Sequence, residues 1–163
     1  TVEGLRPALA RGTNAAVVMI SSNSTTMVPG IETAKVERFL AGDRSVCQDL
    51  EGSAYWTSKM AIAWWVRAQS VTAEWIGAGI RLNAVAPGAT DTNMTRPLLE
   101  LEGVKEAMQA IPIPFGRWGR PEEIAAVIDF LLGPDGGYIL GQTIFVDGGT
   151  DAVVQPRGYP RSL

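Results

Sequence analysis

The sequence predicts an α/β protein whose strands run parallel and are joined by helical crossovers. Residues 15–20 ("AAVVMI") are a short, continuous apolar run of the kind found in a strand buried on both faces, and residues 80–87 ("IRLNAVAP") read as a second buried strand. Residues 142–149 ("QTIFVDGG") supply a third strand. Helical patterns alternate with these runs, and the order helix, strand, helix, strand, helix, strand is that of parallel strands with crossovers. A length of 163 residues suits one domain, and 46% apolar with 19% charged residues is an ordinary globular balance.

Each element has its own signature. Residues 1–11 read as the tail of a helix that stops at Gly12, with Pro7 awkward inside it. Residues 23–52 are more polar and hold an amphipathic segment at 31–40. There Val36, Phe39 and Leu40 share one side, with Glu32, Lys35 and Arg38 elsewhere. A long helix is expected over 53–76, about 36 Å at 1.5 Å per residue, stopped by Gly77 and Gly79. Residues 91–115 carry two short helices broken by Pro97, Gly103 and Pro112. In "RPEEIAAVIDFLLG", Pro121 takes a first helical position. Glu122 and Glu123 follow in the first turn, where the helix dipole favours acids, and the helix stops at Gly133.

Composition excludes several classes of function. A net charge of −3 and a pI near 5.0 leave no basic footprint for nucleic acid. The longest apolar runs, 15–20 and 60–66, fall far short of the roughly 20 residues that span a bilayer, so no membrane partner is expected. Residues 1–12 lack the layout of a signal peptide. Cys47 is the only cysteine, which excludes an intrachain disulfide and a multi-cysteine zinc site. It favours a reducing compartment, and a cytoplasmic location is expected. Without any histidine, a Ser-His-Asp or Cys-His hydrolase and a His-ligated metal are excluded within this chain.

Three stretches can carry chemistry. Tyr55 and Lys59 stand one helical turn apart, so an ammonium can sit near a phenol. A free phenol, with a pKa of about 10, is a poor base at neutral pH, and a nearby cation favours its ionised form. Taken alone, such a pair is more often a surface feature. Ser21 and Ser22 follow the first strand directly, at the carboxyl edge where parallel sheets bind ligands. There Ser22 can donate to a substrate oxygen, or the pair can simply start a turn. Pro87 and Gly88 end the second strand at the same edge. Gly88 permits close approach of backbone to a ligand and Thr90 and Thr92 add hydroxyls, although a plain strand-ending turn reads as well.

Taken in series, "VVMISS", "YWTSK", "IRLNAVAPGATDT", "GRPEEIAAVIDFLL" and "GQTIFVDGG" resemble the short-chain dehydrogenase/reductase family over nearly the whole chain. The resemblance implies the C-terminal part of a Rossmann-like, doubly wound parallel sheet. It implies hydride transfer between a nicotinamide cofactor, NAD or NADP, and an alcohol or ketone. Ser22 would bind the substrate oxygen, and Tyr55 would be the acid/base. Lys59 would help Tyr55 ionise and hold the nicotinamide ribose. Pro87, Gly88, Thr90 and Thr92 match the segment that cradles the nicotinamide carboxamide. Tyr55 and Lys59 thus belong to both the catalytic and the cofactor-binding sets. The expected partners are a small-molecule alcohol or ketone and a second copy of the chain, as a homodimer or homotetramer through the 53–76 helix.

Two departures from the family pattern shape further expectations. Ser22 and Tyr55 stand 33 positions apart where most members have a short loop. That insertion, 23–52, together with "VDGGTDAVVQP", looks like the bacterial 3α-hydroxysteroid dehydrogenase/carbonyl reductase branch. In that branch the inserted helices help build the subunit interface, which places 31–40 there. The second departure is that no Gly-rich phosphate-binding turn precedes a helix, and the asparagine of the family's catalytic tetrad is not present. The N-terminal dinucleotide-binding half is thus expected to be missing, and residues 1–163 to be a single partial domain, inactive alone. Its first strand would lie at a sheet edge, with one face of the sheet stripped of helices.

The competing reading is a non-catalytic dimerisation or assembly module of the same fold, since residues 60–66 are apolar all round the helix. The loop 93–115, with Met94, Leu98, Leu99, Leu101, Val104, Met108 and Ile111, either lids an apolar pocket or packs as two amphipathic helices. A steroid or another bulky hydrophobic ketone fits it.

Overall fold

The computed structural model describes residues 2–50 and 52–158. Helix α1 (Val2–Leu9) leads into strand β1 (Ala16–Ile20), followed by the short helices α2 (Ser24–Met27) and α3 (Thr33–Leu40) and a 3₁₀ turn at Arg44–Asp49. Helix α4 (Ala54–Gln69) and a 3₁₀ turn at Ile76–Ala78 precede strand β2 (Arg81–Pro87). A 3₁₀ turn at Arg96–Glu100 and helix α5 (Val104–Gln109) lead to helix α6 (Pro121–Leu132). A 3₁₀ turn at Pro134–Gly136, strand β3 (Thr143–Val146) and helix α7 (Thr150–Val154) complete the described chain. The strands form one parallel sheet in the order β1-β2-β3.

Strand β2 is central, and its residues from Arg81 to Ala86 are buried, as a strand covered on both faces requires. Side chains alternate across the sheet. Leu82 and Ala84, with Val17 and Met19 of β1, meet Ile62, Trp65 and Val66 of α4, and α1 joins through Val2 and Leu9. Val85, with Val18 of β1 and Ile144 and Val146 of β3, meets Ile124, Val127, Ile128 and Leu131 of α6 on the opposite face. Both faces therefore carry helices, which corrects the expectation that one face would be stripped. Helix α6, with its apolar stripe of period 3.6, covers the second face.

The helix expected over 53–76 ends at Gln69. Strand β2, at seven residues, is about 23 Å long, and the 16 residues of α4 span about 24 Å. A helix running to residue 76 would overshoot the sheet. The hydroxyls of Ser70 and Thr72 donate to the carbonyls of Arg67 (3.1 Å) and Gln69 (2.9 Å) and tighten the chain into turns. Trp75 then enters the core, with its ring edge-on to Trp65 at 5.4 Å.

Two buried polar side chains of β2 lock the second crossover. The Arg81 guanidinium donates to the carbonyls of Leu131 (2.8 Å), Gly136 (2.9 Å), Gly133 (3.0 Å) and Leu132 (3.4 Å) at the carboxyl end of α6. A cation there satisfies end carbonyls and complements the helix dipole. Asn83 donates to the Ile139 carbonyl (2.8 Å) and accepts from the Gln142 amide (3.0 Å), pinning the chain as it enters β3.

Candidate active site

The register brings the carboxyl ends of all three strands to one edge, with Ile20 opposite Val85 and Pro87 opposite Val146. The ladder continues past β1: the Ser21 amide donates to the Val85 carbonyl (2.8 Å) and the Asn23 amide to the Pro87 carbonyl (3.0 Å). Ser22 is thereby held at the edge, 8% exposed. Its hydroxyl oxygen accepts the Ser24 amide at 3.1 Å and starts α2. Its hydroxyl proton remains available for donation.

Tyr55 lies in the first turn of α4 and is 54% exposed. One turn on, the Lys59 ammonium donates to the Ile20 carbonyl at 3.0 Å and sits 5.6 Å from the centroid of the Tyr55 ring. That separation lies within cation–π range. In the reverse direction the Ser21 hydroxyl donates to the Lys59 carbonyl at 2.8 Å. Two bonds of opposite sense thus staple the start of α4 to the end of β1. The structure accordingly brings Ser22, Tyr55 and Lys59 to one corner of the sheet edge, as their spacing alone could not establish.

The loop after β2 occupies the same edge. The Gly88 amide donates to the Val146 carbonyl at 3.1 Å, and a Cβ at Gly88 would stand 2.6 Å from Asp147 Cβ and 2.7 Å from its Cα. The missing side chain therefore makes room for Asp147 of the neighbouring strand end, a reason not legible in the sequence. Thr90 donates from its hydroxyl to the Gly88 carbonyl (2.9 Å) and forms a parallel bridge to Gly119. Thr92 meets Thr95: the Thr92 amide donates to Thr95 Oγ1 at 2.9 Å, and the two hydroxyl oxygens lie 3.0 Å apart.

Asp147, unremarked in the sequence, ties the third strand end. Its carboxylate accepts the amides of Gly149 (3.0 Å) and Asp151 (2.7 Å) and so caps α7. Gly148 has φ 66°, and a Cβ there would reach 2.8 Å from Ile113 Cγ2. The "DGG" triplet is the signal that could have marked this turn.

Two polar atoms at this edge, Asn23 Nδ2 and Ser24 Oγ, are buried without a hydrogen-bond partner. Buried donors of this kind are uncommon and are satisfied when a polar ligand or water arrives. With the Lys59 ammonium they supply donors of the kind that the oxygens of a ribose or carboxamide accept, whereas the Thr90 hydroxyl is committed to the Gly88 carbonyl. A cavity of about 550 Å³, lined by residues including Thr25, Met60, Phe145 and Val154, opens beside it. Neither Ser22 nor Tyr55 lines it. Farther along the edge, Glu123 at the start of α6 accepts from Arg117 (2.6 Å) and from the Arg120 amide (2.8 Å). The Arg117 hydrogen bond, then that of the Arg120 amide, lower the Glu123 pKa from 4.5 to about 2.

Residues 39–151 match a family model described as enoyl-(acyl carrier protein) reductase. The chain is 34% identical to the 3-alpha-hydroxysteroid dehydrogenase/carbonyl reductase of Comamonas testosteroni, over 97% of this chain and 64% of that protein. It superposes on the 3-alpha-hydroxysteroid dehydrogenase of Pseudomonas sp. B-0831, complexed with NADH, with a TM-score of 0.85 at 36% identity, covering 98% of this chain and 64% of that one. It also resembles the Pseudomonas aeruginosa RhlG/NADP complex, with a TM-score of 0.65 at 32% identity over 92% of this chain and 53% of that one. The chain thus spans just under two thirds of the length of the first two relatives. With the parallel sheet, the stapled Tyr55 and Lys59 and the loop at 87–92, these matches lead to one conclusion: the chain belongs to the short-chain dehydrogenase/reductase family of oxidoreductases.

Proposed function

We propose that these residues form the catalytic portion of an NAD- or NADP-dependent oxidoreductase acting on an alcohol or ketone. The observation that carries the reading is the Lys59 ammonium, held between the Ile20 carbonyl and the Tyr55 ring beside Ser22. A bound nicotinamide supplies the hydride donor or acceptor. Tyr55 exchanges a proton with the substrate oxygen through its hydroxyl, and Ser22 donates a hydrogen bond to that oxygen. Lys59 sets positive charge beside Tyr55 and has donors left for a ribose. Pro87, Gly88, Thr90 and Thr92 line the carboxamide side. The relatives' complexes with NADH and with NADP support a nicotinamide cofactor of either kind.

A bulky hydrophobic carbonyl compound, such as a steroid ketone, is the proposed substrate class. The segment 93–115 holds Met94 at 73%, Leu101 at 53% and Phe115 at 66% exposure, apolar surface that an apolar substrate would cover. The lone, exposed Cys47 suits a reducing compartment, and the cytoplasm is the proposed location. Among the described residues no helix is long and apolar enough to cross a membrane.

Replacing Tyr55 by Phe tests the core of the proposal. Turnover of a ketone should fall by about 10²–10⁴-fold, the contribution of a positioned acid/base, while NADH affinity stays within about threefold. Substantial residual turnover would remove Tyr55 from its role. The second reading, a non-catalytic assembly module, draws on Met60 and Trp64 of α4, which are only half-buried in the single chain. Sedimentation of a Trp64→Glu variant separates the two. A dimer that dissociates, in a protein without reductase activity, favours the non-catalytic module; reductase activity in the wild type overturns it.

A further inference from the structure

The hydroxyl of Thr95, in the loop that follows β2, makes more hydrogen bonds than its single proton can supply. It lies 2.7 Å from the Thr90 carbonyl, 3.2 Å from the Thr92 carbonyl, 2.9 Å from the Thr92 amide and 3.0 Å from Thr92 Oγ1. The Thr95 amide in turn donates to Thr92 Oγ1 at 3.2 Å. A hydroxyl has one donor and two acceptor positions. The shortest contact, to the Thr90 carbonyl, takes the Thr95 proton. Both Thr95 lone pairs then receive Thr92, one from its amide and the other from its hydroxyl. The Thr92 proton is consumed inward, and one Thr92 lone pair, already facing the Thr95 amide, is consumed as well. Thr92 Oγ1 is left with a single unfilled position, and that position accepts.

We infer that Thr95 is a positioning residue that fixes the polarity of Thr92, so that this loop selects a ligand group bearing an N–H donor, a primary carboxamide, over a carboxylate. The inference rests on the proposed cofactor site and adds to it a reason for discriminating between an amide and an acid. A carboxylate offers only acceptors and would meet the Thr92 lone pair with no proton between them. Removing the Thr95 hydroxyl frees the Thr92 proton to turn outward, and the preference should shrink.

Calorimetric titration of the full-length protein with NAD, with its nicotinic acid analogue and with ADP-ribose tests this. The wild type should bind NAD at least about tenfold more tightly than the acid analogue, the weight of one well-placed hydrogen bond. Thr95→Val, close in shape, should bring that ratio to within about twofold of unity, and Thr95→Ser should restore it. ADP-ribose, which lacks the nicotinamide, should bind all three proteins equally. A Thr95→Val ratio equal to that of the wild type overturns the inference. So does a parallel loss of ADP-ribose affinity, which would mark a general collapse of the loop. If wild-type protein binds ADP-ribose but shows no preference between NAD and the acid analogue, the inference fails and the cofactor site stands. If it binds none of the three, the cofactor reading fails and the inference falls with it.

Discussion

At Tyr55 and Lys59 the proposed chemistry depends on one helical turn and on what grips it. The spacing places ammonium and phenol on a common face, but the Ile20 carbonyl and the Ser21 hydroxyl decide where that face points. Lys59→Met keeps most of the stem and removes the charge, the bond to Ile20 and the proposed ribose donors together. It should raise the dissociation constant for NADH about tenfold or more, read by cofactor fluorescence, whereas Tyr55→Phe should not. Gly88 illustrates a different constraint. A methyl group there meets the Cα and Cβ of Asp147 at under 3 Å, and neither can swing away. Gly88→Ala should therefore cost about 1–3 kcal/mol by forcing the strand ends apart, seen as a lower midpoint in urea unfolding. An unchanged midpoint would show that the β2–β3 edge yields more easily than its packing suggests.

Helix α6 carries a prediction at each of its ends. At its carboxyl end Arg81 satisfies four carbonyls from within the sheet. Arg81→Met removes the side-chain donor of the Leu131, Leu132 and Gly133 carbonyls, while Gly136 keeps the Ile139 amide, and should destabilise by about 1–3 kcal/mol, the cost of leaving buried acceptors unpaired. Chemical denaturation measures it, and a loss below about 1 kcal/mol would show that water takes over the cap. At its amino end Glu123 has its pKa depressed from 4.5 to about 2, first by the Arg117 hydrogen bond. A depressed carboxylate contributes stability that is fully present above the unfolded value and disappears as pH falls through the folded one. The stability gap between wild type and Glu123→Gln should therefore be constant above about pH 4.5 and close between pH 4.5 and 2. Thermal melts across that window check the sign. A gap that widens on acidification would contradict the pairing.

On the scale of the whole molecule, the sheet is covered on both faces yet open at its β1 edge, where only β2 pairs with it among the described residues. β1 is half-buried along most of its length and ends on the exposed Ile20. An apolar edge of this kind invites pairing with another strand. The 163-residue chain by itself should self-associate with rising concentration, and sedimentation equilibrium would show it. A strictly monomeric chain at high concentration would mean that the edge is shielded by its twist or its neighbours.

Much of the fold was legible because its signals are local. The first strand announced itself as a continuous apolar run, the second and third as short stretches between helical patterns, and α6 by Pro121, its two glutamates and Gly133. The order of motifs places Ser22, Tyr55, Lys59 and Thr92 in one family pattern. The sequence by itself determined the class of the sheet, its parallel sense and the residue types available at its carboxyl edge, because strand periodicity, crossovers and hydroxyl or ammonium chemistry are written along the chain. Only the tertiary structure decided that α4 stops at Gln69, that α6 closes the second face, that Gly88 yields to Asp147 and that Thr95 lies where, as inferred above, it turns the Thr92 hydroxyl inward. Each of these depends on contacts between residues distant in the chain or on which proton is left over once others are committed, and hydrophobic periodicity encodes neither.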